Sequence, residues 1–210
     1  MSVARKPESL SEIAGLSPLP GAPDNSVLVV IDGQLEYTIG RLPLAGIDAA
    51  VEEGARLLAF ARGQAMPVFH AIHHGKPGAA LFDPLQDGAA FITELAPRDG
   101  ETVSIKSLPN AFAHTPLADL VRATGRREIV IAGFATHMCV SATARSALDH
   151  GFRTTVVAAA TATRDLPHAS GADVTPAAVI QEGTLAALSD RFSVVIQDTA
   201  ALLRRAAQPA

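Results

Sequence analysis

The sequence predicts an α/β fold of three layers, with a six-stranded parallel sheet between two sets of helices. Three observations carry that prediction. Short apolar runs alternate with helix-length segments along the chain. The first run, VLVVI at 27–31, is apolar at every position, as expected of a central strand buried on both faces. No internal repeat or linker interrupts the rhythm, so we read one domain over 26–210 behind an N-terminal arm at 1–25. Repeated β-then-α units imply right-handed crossovers, with helices on both faces of the sheet.

The elements follow in order. After the strand at 27–31, residues 48–64 have helical spacing. Val51, Leu57, Leu58 and Ala61 lie on one side, Asp48 is the expected N-cap, and Glu52 and Glu53 sit near the positive end of the dipole. MPVFHAI (66–72) and TVSI (102–105) are the second and third strands. Between them, 73–101 is rich in Gly, Pro and Asp, and so long a loop in a compact domain is usually functional or mobile. TPLADLVRATG (115–125) has a capping Thr, Pro at N1 and a terminating Gly. Residues 128–134 form the fourth strand, and the following helix, near 138–150, ends at Gly151. TTVVAAA (154–160) is the fifth strand, 175–190 a helix that again opens on Thr-Pro, and 193–196 the sixth strand, followed by a short terminal helix.

Composition narrows the function. Of the 210 residues, 48% are hydrophobic and 18% charged, with mean hydropathy +0.24, which describes a packed protein. A net charge of −4 carries no electrostatic footprint for nucleic acid or an anionic membrane. No apolar run approaches the roughly 20 residues of a membrane span, and the N-terminus has basic residues without the apolar core of a signal peptide. The single cysteine cannot form an internal disulfide, so the cytoplasm is the expected location. The Pro-, Ser- and Gly-rich arm reads equally as a free tail or as a segment docked on a neighbouring subunit.

In an open α/β sheet, ligands bind beyond the carboxyl ends of the strands. Those ends carry Asp32, His73 and His74, Lys106, and the segment GFATHMC with Cys139. An acid, a lysine and a thiol therefore reach one edge of one sheet. Cys139 falls in the first turn of a helix, where the dipole lowers a thiol pKa. Position alone leaves a nucleophile and an inert buried cysteine both open. Asp32 is read as a base or as a turn cap, and Lys106 as a charge anchor or a solvated lysine. Together they make a consistent site, in which Asp takes the thiol proton, Lys holds both anions and Cys attacks a carbonyl.

VVIDGQ, IKSLPNAF and GFATHMCVSATARSALDHGF, in that order and spacing, resemble the isochorismatase-like cysteine hydrolases, a superfamily that includes nicotinamidases and N-carbamoylsarcosine amidases. The resemblance runs from about residue 27 to 196. It implies a Rossmann-like sheet of order 3-2-1-4-5-6 and a catalytic triad of Asp32, Lys106 and Cys139. It also implies a cis Phe134–Ala135 peptide and an oxyanion hole made by the backbone N–H groups of Ala135 and Cys139. The activity it implies is cleavage of a C–N bond in a small amide-like substrate through a thioester. No cofactor is expected, and dimers or tetramers are common in the superfamily.

Gln34, Tyr37, His74, Phe82, Asn110, Phe112 and His137 are the expected substrate-binding residues; for Phe82 and Phe112, packing in the core or at an interface is an equal alternative. Asn110 stands where many relatives have Ser. Metal-binding nicotinamidases have an Asp-x-His at the end of the second strand, which is missing here. His70 reads as a hydrogen-bonded core residue, and His73 and His74 alternate faces, so no metal is expected. Arg126 and Arg127 read as a solvated turn. Two other functions stay open: an isochorismatase-type vinyl ether hydrolase, which needs no thiol, and a non-catalytic or redox-sensing member of the fold.

Overall fold

A computed structural model describes residues 6–171 and 173–207; positions 1–5 of the expected arm and 208–210 of the expected domain lie outside the described residues. The sheet contains β1 (Ser26–Ile31), β2 (Val68–His73), β3 (Thr102–Lys106), β4 (Glu128–Phe134), β5 (Arg153–Ala162) and β8 (Ser193–Ile196). Its order is β3-β2-β1-β4-β5-β8, all parallel, which matches the expected 3-2-1-4-5-6 apart from numbering. The two further strands are β6 (Leu166–Pro167) and β7 (Val174–Thr175), a small antiparallel hairpin that the sequence reading did not anticipate.

β1 is buried at every position because it lies between β2 and β4 with a core on each face. Leu28 and Val30 pack with Leu57, Leu58 and Ala61 of α2 (Ile47–Gly63). Val27, Val29 and Ile31 face the other core, built with Leu117 and Val121 of α3 (Leu117–Ala123), Ala144 and Ala147 of α4 (Ser141–Asp149) and Leu188 of α5 (Ala177–Arg191). Period-2 alternation along one strand thus supplies both layers.

The helix boundaries are where the sequence reading needs most correction. α2 is capped by Gly46 in the left-handed region (φ 69°), not by Asp48, which sits within the first turn. α3 starts one residue later than expected, with Pro116 at its N-cap, and Thr115 Oγ1 accepts from Leu117 N at 3.3 Å. The start of α5 is capped from a distance: Asp165 Oδ1 accepts from Ala177 N at 2.7 Å, while Thr175 belongs to β7. Glu53 of α2 does the same for α6 (Thr199–Ala206), accepting from Thr199 N and Oγ1 at 2.7 and 2.6 Å.

The described part of the N-terminal arm makes hydrogen bonds to its own chain. α1 (Leu10–Ile13) is closed by a Ser9–Glu12 capping box, and Leu10 N donates to Asp190 at the end of α5. Arg153 donates to the carbonyls of Ser17 and Leu19, and Gly21 N to Thr155 Oγ1. Arg126, expected in a solvated turn, staples the carbonyls of Pro23 and Ser26 at 2.6 Å each. Among the described residues, no helix is long and apolar enough to cross a membrane.

Candidate active site

β1 ends at Ile31, and Asp32 N still donates to Ala71 O of β2 at 2.8 Å. Asp32 itself adopts φ 48°, a left-handed conformation that Asp tolerates better than most residues. The chain thereby leaves the sheet with the carboxylate at the strand mouth. Lys106 is the last residue of β3 and pairs in register with His73, the last residue of β2. β4 ends in Gly133 and Phe134, the Phe134–Ala135 peptide is cis, and one turn of π-helix (Thr136–Val140) carries Cys139 into α4. A Cβ on Gly133 (φ 112°) would stand 1.9 Å from the Ile31 carbonyl oxygen, so β1 and β4 approach here as only glycine permits.

These strand ends bring Asp32, Lys106 and Cys139 together. Lys106 Nζ donates to Asp32 Oδ2 at 2.8 Å and to Cys139 Sγ at 3.3 Å, and lies 3.3 Å from His73 Nδ1. The Asp32 and Lys106 side chains are fully buried, and Cys139 is nearly so. Burial pushes the Asp32 carboxyl upward against the pull of Lys106. The thiol departs from the sequence expectation of a lowered pKa. Burial and the negative charge of Asp32 push Cys139 up to about 12, and Lys106 offsets only part of this. Asp32 and Cys139 couple directly, yet Asp32 Oδ1 has no directed hydrogen bond among the described residues. Burial thus favours the neutral form of both the thiol and the carboxyl, and Lys106 opposes it at each.

The expected pocket residues divide into two groups. Tyr37 packs edge-on against Phe134 and Phe82, at centroid distances of 5.9 and 5.4 Å. Burial and the charges of Asp32 and Cys139 hold its hydroxyl protonated, and the Ala135 N–H faces that hydroxyl. Phe82 (φ 51°) also covers the His73 ring at 5.0 Å, and its N–H is held by the buried Glu36 carboxylate. His137 bonds to Thr163 Oγ1 beside the β4 and β5 ends, its pKa lowered by burial and by Arg164. His74 is half-buried and tied through its backbone N–H to Lys106 O.

Gln34, Asn110 and Phe112 have their side chains engaged by the protein itself. Gln34 is fully buried, and its amide is spent on backbone: Nε2 donates to His73 O and Ala89 O, and Oε1 accepts from His73 N. Asn110 Nδ2 donates to Ser146 Oγ, and its Oδ1 accepts from Phe112 N. Phe112 packs with His150 and Phe152 at the far end of α4, the core-packing alternative. His73 is the residue the sequence reading left out of the site. Its alternation with Phe69 and Ala71 on one face of β2 was the available signal.

His70 is a hydrogen-bonded core residue, as expected, with Nε2 3.0 Å from Glu101 Oε2. Two cavities of about 420 and 590 Å³ run along α2; neither is lined by Asp32, Lys106 or Cys139. The Asp32–Lys106–Cys139 cluster lies instead at the buried strand mouth.

Fold and site together define a hydrolase built at the carboxyl edge of a parallel sheet. A model of the isochorismatase domain matches residues 26–205, and the chain belongs to the isochorismatase family. A solved isochorismatase from Pseudomonas putida KT2440 is 39% identical, superposes with a TM-score of 0.88 and covers 94% of this chain and 100% of its own. A maleamate amidohydrolase from Pseudomonas putida is 37% identical over 140 residues, 59% of this chain and 66% of its own length. A secreted isochorismatase effector from Verticillium dahliae is 36% identical over 143 residues, 68% of this chain and 75% of its own length.

Proposed function

We propose that the protein hydrolyses the C–N bond of a small amide-like substrate through a thioester on Cys139. The observation that carries this reading is the buried Lys106 ammonium in contact with both the Asp32 carboxylate and the Cys139 sulfur, at 2.8 and 3.3 Å. Similarity to a maleamate amidohydrolase supports the amide class.

In the first step, Asp32 takes the thiol proton as sulfur attacks the carbonyl carbon, and the carbonyl π electrons move to oxygen. A carboxylate whose pKa is raised by burial is the better base for this transfer. The backbone N–H groups of Ala135 and Cys139 are the proposed donors to the oxyanion; losing one such donor costs about 3–4 kcal/mol of transition-state stabilisation in comparable sites. Collapse breaks the C–N bond, and Asp32 returns its proton to the departing ammonia or amine. Asp32 then deprotonates water, which attacks the thioester, and the departing thiolate regains its proton from Asp32. The sum is amide plus water giving carboxylic acid plus amine, with Lys106 fixing both anionic partners throughout.

A vinyl ether hydrolase is the second reading, supported by the similarity to an isochorismatase effector. It keeps Asp32 as the acid and leaves Cys139 idle. A redox-sensing role needs a thiol of low pKa, and a thiol pushed up to about 12 weighs against it. The compartment is left open by this reading, since one relative is described as secreted.

The experiment is ammonia release from a panel of small primary amides by the wild type and by Cys139→Ala, with mass spectrometry for an acyl adduct on Cys139. Loss of turnover in the variant and an adduct in the wild type are expected. Undiminished turnover by Cys139→Ala would overturn the thioester mechanism.

A further inference from the structure

We infer that His73 is a positioning residue, the neutral acceptor of the third N–H of Lys106 that fixes the ammonium between Asp32 and Cys139. The inference rests on the functional reading above and deepens it. A lysine ammonium carries three donors and no acceptor. The Lys106 side chain is fully buried, so bulk water reaches none of them. Asp32 Oδ2, Cys139 Sγ and His73 Nδ1 stand at 2.8, 3.3 and 3.3 Å. Three acceptors thus meet three protons, and the head group has one orientation in which all are engaged.

The imidazole is held for this role. His73 and Lys106 are register partners on β2 and β3. The buried Gln34 amide grips both backbone groups of His73, at 2.9 Å to its oxygen and 2.8 Å from its nitrogen. Phe82 covers the ring at 5.0 Å. Because Nδ1 accepts from an ammonium, the ring proton belongs on Nε2. A protonated ring would lose the acceptor and repel Lys106. The titratable groups that act on the ring are Lys106 at the end of β3 and His74, the residue after β2. Asp83, next to Phe82, turns its carboxylate instead to the N–H groups of Gly78 and Leu85. Burial, then Lys106 and His74, hold His73 down at about 4, so it is neutral at physiological pH.

The test uses iodoacetamide alkylation of Cys139 from pH 6 to 10 in the wild type, His73→Leu and His73→Asn. Long-range 1H–15N correlation on the wild type reads the His73 tautomer. In His73→Leu, Lys106 loses its third anchor and holds the thiolate less well, so alkylation at pH 8 should fall about tenfold, the equivalent of one pKa unit. His73→Asn, whose amide oxygen occupies the place of Nδ1, should recover to within about twofold. The wild-type ring should carry its proton on Nε2.

An unchanged rate in His73→Leu, an equal loss in both variants, or a proton on Nδ1 would overturn the inference. If His73→Leu does not fold, the wild-type tautomer decides alone. Failure of the thioester mechanism is a separate outcome, seen as amide turnover by Cys139→Ala with the His73 effects on alkylation intact.

Discussion

Cys139 Sγ lies 3.3 Å from the Lys106 ammonium, yet the thiol is pushed up to about 12 because burial and Asp32 outweigh that cation. The surroundings of the sulfur thus favour its protonated form. One consequence follows that a pre-formed thiolate would not produce.

Asp32→Asn should separate thiol reactivity from turnover. Removing the carboxylate removes a negative charge that raises the thiol pKa while Lys106 still lowers it. Alkylation of Cys139 near pH 8 should therefore speed up, by about tenfold for each unit of pKa released. Amide hydrolysis should fall by about two orders of magnitude or more for want of the base. Slower alkylation in this variant would mean that Asp32 activates the thiol in the resting state.

Lys106→Met should be strongly destabilising, by about 3–5 kcal/mol, because it strands the buried Asp32 charge. Asp32 would then be raised further, and a raised carboxyl favours the folded state at low pH and loses that contribution as pH rises. The deficit should shrink as pH falls towards the ordinary carboxylate range. The double variant Asp32→Asn, Lys106→Met should recover most of the loss at pH 7 by urea unfolding. A double variant as unstable as the single one would show that packing of the lysine stem, and not the stranded charge, sets the cost.

What the sequence disclosed and withheld can be traced to particular residues. Lys106 ends β3, Asp32 follows β1 and Cys139 lies in the turn after β4, and parallel strands with right-handed crossovers bring their carboxyl ends to one edge, so the convergence was legible. The direction of the thiol pKa was not, because a helix start is visible in sequence but burial and a facing carboxylate are not. Gln34 follows Asp32 by two residues and was expected in the cleft. The left-handed Asp32 turns the chain so that Gln34 bonds back to β2. His73 and not His74 meets Lys106 because of strand register, which one sequence does not fix.

Gln34→Leu checks that reassignment. It keeps the side-chain bulk and leaves His73 N, His73 O and Ala89 O without their partner. Orphaned buried groups cost about 1–3 kcal/mol each, so the urea midpoint should fall by the equivalent of at least about 2 kcal/mol. A variant of wild-type stability with only a raised KM would return Gln34 to the substrate pocket.

Gly133→Ala should be among the most damaging single-methyl changes in the chain. The new Cβ would sit 1.9 Å from the Ile31 carbonyl oxygen at φ 112°, and overpacking alone costs about 1–3 kcal/mol before the backbone strain is added. Gly63→Ala is the matched control, since nothing lies within 4 Å of its added Cβ and it ends α2 at ordinary φ. The control should be neutral or stabilising by about 0.4–1 kcal/mol. Equal losses in the two variants would remove the argument that β1 and β4 need glycine at their contact.

Acid should loosen the protein first at the His70–Glu101–Arg62 cluster. Burial alone would raise the Glu101 carboxyl, but the Arg62 guanidinium at 2.8 and 2.9 Å, Arg98 N and His70 hold it at about 2. A carboxyl lowered in the folded state contributes stability above its unfolded value, and that contribution is lost as pH falls from about 4.5 to about 2. His70 acts in the same direction but earlier. Burial holds it below 6.5, so the unfolded chain takes up its proton first and stability starts to decline below that pH. Wild-type urea midpoints at pH 7, 5 and 3 should therefore fall in two stages. Glu101→Gln should start lower at pH 7, having lost the ion pair with Arg62, and then decline much less between pH 4.5 and 2. If the variant keeps the full wild-type decline in that range, the acid sensitivity arises elsewhere, and the lowered carboxyl at the edge of the sheet contributes little to it.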